Sequence, residues 1–351
     1  MSTSATHRAG KQPITRARLT PRKLMTVLSV LLALLLVFSA LAIASGSEHY
    51  SLTTIVRIIT SEIANKTSDV SSEQRMIILN IRLPRLMMAI VVGAAFSVAG
   101  AAYQALLRNP LADPGILGIS TGSALGAIAS IVFAESFPLS RPLAAFLGAA
   151  ITTAVVYLLG QSRQGASSER LVLAGMIVNA FLSSMVIYLV TVASGLRQRS
   201  VFSWLIGDLS GEPRLLPIVA LLVFIGIAII YANARSLNLL MTGEEEALAL
   251  GVEVERVKRV VYLAASLITG AAVAASGVIG FVGLIIPHGM RLATGSDNRL
   301  VVPGSMLAGS AFLLLADTLA RTVVAPSEIH IGVITALVGA PVFVYLLRRT
   351  S

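Results

Sequence analysis

The chain has no cysteine among its 351 residues, which excludes disulfides, thiolate metal sites and a cysteine nucleophile. Charge is also scarce. Asp, Glu, Lys and Arg make up 13% of the sequence, against the roughly 25% that a soluble domain carries to keep its surface wet. Past the N-terminus no stretch is long and polar enough to fold as a separate soluble domain. Gly10-Lys11 is followed by Gln12, so the tail holds no phosphate-binding loop. His7, His49, His288 and His330 are scattered and lack metal-ligand spacing. No directly bound cofactor or metal is expected, and the energy for whatever work this chain does must come from elsewhere.

Acidic residues number 17 against 27 Lys and Arg, a formal net charge of +10. A basic balance fits nucleic acid, but here the basic residues separate long uncharged runs, as they do when they hold the cytoplasmic ends of membrane helices. Membrane lipid is therefore the expected surrounding, and nucleic acid is not an expected partner.

Apolar residues make up 56% of the chain and gather into runs of spanning length. Residues 1–23 form a basic tail, read as cytoplasmic, and 24–351 form one membrane domain. Ten spans are expected: 24–44, 86–107, 115–134, 143–160, 171–195, 215–232, 260–275, 284–293, 301–320 and 329–347. The stretch 260–290 is too long for one span and holds Gly277, Gly280, Gly283 and Pro287, so it divides into a helix, a bend and a short helix. Residues 45–85 read as a mixed loop. Ten spans with an internal N-terminus put the C-terminus inside too. Seventeen of the 27 Lys and Arg then fall on the cytoplasmic side and ten outside, the expected sign of bias. Lipid offers no backbone partners, and runs this long exclude alternating strands, so the fold class is all-α and polytopic.

Four features stand out. The loop Arg108-Asn109-Pro110-Leu111-Ala112-Asp113-Pro114-Gly115 interrupts an apolar stretch, as a tight turn or as irregular backbone lining a path. Gly243-Glu244-Glu245-Glu246-Ala247-Leu248-Ala249-Leu250-Gly251 reads as a short cytoplasmic helix with acids at its start and Gly251 at its end. Its apolar side suits either a partner or the headgroups. Arg82, Arg85 and Arg321 lie at the outer ends of spans, where snorkelling to the headgroups is the plain reading, and Asp317 is spaced to pair with Arg321. Gly175, Asn179 and Ser183 share one helix face, which lines a path or packs on a neighbour. Gly93-Ala94-Ala95 with Gly100 also recurs as Gly270-Ala271-Ala272 with Gly277, a candidate inverted repeat.

The stretches RLPRLMMAIVVGAA, QALLRNPLADPGILGIS, GEEEALALGV, SGVIGFVGLIIPHGMR, LLLADTLAR and IGVITALVGAPVF resemble, in order, the FecCD family of importer permeases, which carry iron–siderophores, haem and vitamin B12. The resemblance implies the type II ABC importer permease fold, about ten helices per subunit, a homodimer, and a path along the dimer axis. It implies two copies of a separate cytoplasmic ATPase, which uses the ATP and Mg, and an extracytoplasmic substrate-binding protein. The chain itself is then a transport subunit and not an enzyme, in the cytoplasmic (inner) membrane of a prokaryote. Arg82, Arg85 and Arg321 match positions that dock the binding protein. Gly243, Glu244, Ala247, Leu250 and Gly251 match the helix that couples to the ATPase. Asn109, Leu111, Ser168 and Glu169 match the cytoplasmic gate, Glu169 departing from the small polar residue of the B12 permease. The alternative is an ion-coupled secondary transporter, which needs intramembrane acids. Asp317 is the only acid within the ten spans, and it lies near an outer end.

Overall fold

The computed structural model describes residues 20–46, 50–64, 70–133, 140–162, 165–193, 195–325 and 327–350. The basic tail, apart from residues 20–23, lies outside the described residues, as do His7 and His49.

The first helix, α1, is Pro21–Ala44. The Thr20 side chain accepts from the Lys23 amide, and Pro21 sits in the first turn, where its missing N–H leaves nothing unpaired. Residues 45–85, read as a loop, are mostly helical. They hold α2 (Leu52–Ile63), α3 (Ser72–Met76) and a π turn, Ile77–Arg82, that runs straight into α4 (Leu83–Leu106). Ser51 and Ser71 cap α2 and α3 with their hydroxyls. Pro84 follows the π turn; it has no N–H and its ring crowds the carbonyl four residues back, and the wider π ladder relieves both demands.

The chain continues through α5 (Ile119–Val132), α6 (Arg141–Gly160), a two-residue hairpin pairing Gln161 with Ala166, α7 (Ser168–Val192) and α8 (Gly195–Ile206). Then come α9 (Leu216–Ala232), α10 (Ala234–Leu240), α11 (Glu244–Ala249), α12 (Val254–Ser276), α13 (Val282–Thr294), α14 (Asn298–Thr322) and α15 (Ile331–Thr350). Each of the ten runs read as spans falls on its own helix. Among the described residues, seven helices are long and apolar enough to cross a membrane, with α5 and the stretch Ile331–Leu346 of α15 counted as shorter apolar helices. α13 is shorter still and contains Pro287.

The core is organised around α4, which is buried continuously from Val92 to Leu106. Glycine makes that burial feasible. A Cβ on Gly100 would lie 1.8 Å from the Gly283 carbonyl oxygen of α13, so the two backbones touch. Gly122 of α5 and Gly148 of α6 meet in the same way, with a Cβ on Gly148 falling 2.2 Å from the Gly122 oxygen. With no hydrophobic drive between helices in lipid, such close approach supplies the packing contacts that hold a bundle together. The outer helices keep large apolar side chains exposed, among them Leu36, Phe181, Phe224 and Leu337.

The two halves of the candidate repeat do different jobs. Gly100 is internal to α4, whereas Gly277 ends α12 with φ +68° against the Trp204 carbonyl.

Candidate functional site

Most of the side chains singled out in the sequence gather at the two ends of the bundle. At the end read as outer, Asp317 of α14 is fully buried and each of its carboxylate oxygens is taken by an arginine. Arg85 Nε donates to Oδ1 at 3.0 Å and Arg321 Nε to Oδ2 at 3.0 Å. The pair one helical turn apart on α14 is the one read from spacing; the link to α4 is new. Arg85 also donates to the exposed Glu328 at 2.9 Å. Arg321 spends its terminal nitrogens on the end of α1, donating to Ser45 O at 3.3 Å and Ala42 O at 3.2 Å.

Arg82 turns inward. It is buried, donates to Ile43 O at 2.9 Å and Ala44 O at 3.3 Å, and stacks 4.7 Å from the Tyr50 ring centroid. This differs from the outward aim expected for it. The physical reason is α1: a helix end leaves four carbonyls unpaired, lipid cannot serve them, and two arginines, brought by the π turn before α4 and by α14, can.

At the other end, the one read as cytoplasmic, α4 stops in a Schellman turn. The amides of Arg108 and Asn109 reach back to Ala105 O and Gln104 O, with Arg108 at φ +50°. Asn109 Oδ1 then accepts from the Leu111 amide and Asp113 Oδ1 from the Gly115 amide, so two side chains fold the loop onto itself. Asp113 is half-buried, and desolvation pushes its carboxyl up from the ordinary range, against the opposing Gly115 hydrogen bond. Asn109 meets Ser168 and Glu169 across a cavity of about 460 Å³, also lined by Arg108 and Leu173. Three of the four expected gate residues are thus brought together; Leu111 points outward and does not line this cavity. Ser168 donates to Leu106 O, tying the start of α7 to the end of α4.

The small-polar stripe on α7 divides. Gly175 packs on Leu117, and Asn179 accepts from Thr121 Oγ1 at 2.6 Å beside Gly118, while Ser183 is half-buried. Gly175 and Asn179 therefore pack α7 on α5 and the turn before it, the packing alternative for that face.

The short acidic helix forms as expected. α11 begins after Gly243 and ends in a second Schellman turn: Gly251 N donates to Leu248 O, Val252 N to Ala247 O, and Gly251 takes φ +82°. Ala247 is buried inward, and Leu248 and Leu250 are exposed to 58% and 65%. Sequence reasoning missed Lys258. This lysine of α12 is buried yet donates to Glu244 at 2.5 Å. A basic residue one turn into a span-bearing helix signals a partner, but nothing in the sequence names it. Asn238 of α10 also fixes Asp297, donating at 2.8 Å. Burial works to raise the Asp297 carboxyl, and hydrogen bonds from Arg299 and Asn238 outweigh it, leaving it below the usual range.

The FecCD transport family matches residues 32–349. A cobalamin import system permease protein from Halobacterium salinarum is 43% identical over 78% of this chain and 74% of its own length. A hemin transport system permease protein from Yersinia pestis is 42% identical over 77% of this chain and 83% of its own. A solved structure in the inward-facing conformation, of a transporter assigned to the metal-chelate ABC type, superposes with a TM-score of 0.78 at 30% identity, covering 93% of this chain and 99% of that one.

Proposed function

The chain belongs to the FecCD transport family, and from that premise we propose that it carries an iron chelate (a ferric siderophore or haem) or cobalamin inward across the cytoplasmic membrane of a prokaryote. It does so as the permease subunit of an ATP-binding-cassette importer. The work is transport, with ATP hydrolysed on a separate subunit.

The observation that carries this reading is the neighbourhood of α11. A six-residue helix with three acids in its first turn presents Leu248 and Leu250 outward, and its Glu244 lies 3.8 Å from Arg108, in the loop that lines the gate cavity. An exposed docking element beside a gate suits a machine driven from outside the chain. Two copies of the permease and two of the ATPase complete it, with α11 seated on the ATPase. At the other end, Arg85 and Arg321 around Asp317 form the surface for an extracytoplasmic binding protein, and Arg82 holds α1 beside them. Both termini are cytoplasmic in this arrangement. Ion-coupled transport lacks a supporting acid, because Asp317 is already held by two arginines.

The test has two parts. The chain is purified after co-expression with its ATPase, and uptake of radiolabelled ferric siderophore, haem and cobalamin is compared in cells with and without its gene. Stable co-purification and loss of one uptake activity, restored by the wild-type gene, are the expected results. A chain that purifies without any ATPase overturns the importer reading. Three undiminished uptakes in a strain without a second such importer overturn the cargo class.

A further inference from the structure

The geometry points to Glu244 as a positioning residue that ties the docking helix to the gate, and this rests on the ATPase-docking reading of α11. The carboxylate is shared between two cations. Oε2 accepts from Lys258 Nζ at 2.5 Å, and Oε1 lies 3.8 Å from Arg108 Nη2. Lys258 belongs to α12 and Arg108 to the turn after α4, so one side chain of α11 joins both helices.

Each partner gives a separate reason to regard the link as built. Lys258 is 2% exposed, and Glu255 is its second acid at 3.6 Å. A buried ammonium that loses its main counter-charge stays in a site that cannot solvate it, so α11 cannot slide away from α12 freely. α11 and α12 therefore move as one piece. Arg108 occupies the left-handed position of a helix-ending turn, φ +50°, where glycine is the usual residue because it has no Cβ to clash. A non-glycine residue held there marks a place where the side chain is wanted. Here that side chain spans from the gate loop to Glu244. The adjacent Asn109 reaches the same cavity as Ser168 and Glu169. Displacement of α11 is thereby delivered to α12 through Lys258 and to the gate loop through Arg108.

The absence of native cysteine makes the test clean. Leu173→Cys places one thiol in the gate cavity of the permease, purified with its ATPase, and its labelling by fluorescein maleimide is followed without nucleotide and with ATP plus vanadate. The permease with Leu173→Cys alone is expected to change labelling rate at least fivefold between the two states. Adding Arg108→Gly relieves the backbone and removes the link, so thermal stability is kept or raised while the nucleotide response shrinks below twofold. Arg108→Lys restores part of the response. A response in the Arg108→Gly protein equal to that of Leu173→Cys alone overturns the inference and leaves the importer reading intact. No response in Leu173→Cys alone, with ATPase bound, overturns the coupling role of α11 and this inference with it.

Discussion

Gly93 of α4 and Gly309 of α14 meet backbone to backbone: a Cβ on Gly93 would lie 2.4 Å from the Gly309 oxygen, and one on Gly309 2.5 Å from the Gly93 oxygen. Ser97, one turn along, donates back to Gly93 O and fills the remaining gap. The contact has no room for a side chain on either residue, and neither backbone is able to yield without moving a whole helix.

Gly93→Leu is therefore expected to remove most folded protein. Overpacking a tight core costs about 1–3 kcal/mol even where side chains adjust, and here the obstacle is backbone. Size-exclusion chromatography of detergent extracts and thermal melts read the loss. Gly280→Ala is the control, since nothing lies within 4 Å of the place its methyl group would take and its φ is ordinary.

The spans were legible because lipid imposes a simple demand, about 20 uncharged residues each, and α1, α7 and α9 meet it plainly. The Asp317–Arg321 pair and the Gly251 ending of α11 were legible because both are local, fixed by helix geometry. What stayed hidden is remote. Arg82 finds its partners in Ile43 and Ala44, which are carbonyls and carry no sequence signature. Lys258 finds Glu244 across a turn, and Asn179 finds Thr121 on another helix. The helices between 52 and 82 were missed because their polar residues cap and face outward, so the span pattern does not extend to them.

Arg82 and Arg321 together predict a fastened α1. Hydrogen bonds from a charged donor are worth about 1.5–3 kcal/mol where water is excluded. Arg82→Ala should loosen the last turn of α1 while leaving the other helices folded. With Ser45→Cys as the sole thiol, maleimide labelling is expected to speed up about tenfold, the equivalent of ~1.4 kcal/mol of local opening. Unchanged labelling would mean that Arg82 does not fasten α1, whose end Arg321 and packing then hold.

Asp113 predicts a pH dependence. Its folded carboxyl titrates above the unfolded one because burial disfavours the charge. The sign follows from linkage: the folded state gains from protonation, so the stabilising contribution is full below the unfolded value of about 3.9 and is lost as pH rises through the folded value. At neutral pH the ionised group is a liability. Asp113→Asn keeps an oxygen for the Gly115 amide and is expected to melt higher than wild type at pH 7.5, the difference closing toward pH 4. An Asn variant that melts lower at every pH would overturn the assignment of burial as the cause.

Arg85 has an exchangeable partner. Its Nε is fixed on buried Asp317, but its Nη1 bonds Glu328, which is 54% exposed and sits in the loop before α15. A carboxylate from a docking binding protein would compete for that same nitrogen. Exposed ion pairs contribute about 0.2–1 kcal/mol, so Glu328 is a weak occupant that a partner displaces at small cost. Glu328→Gln removes the competitor and is expected to tighten binding of the cognate binding protein up to about fivefold in surface plasmon resonance. Arg85→Glu should abolish it and, by freeing Asp317 of one arginine, also lower the melting temperature. The two variants therefore separate docking from folding: Glu328→Gln changes affinity at constant stability. If it leaves affinity unchanged while Arg85→Glu lowers both, Arg85 serves α14 rather than a partner, and the docking surface lies elsewhere on the outer face.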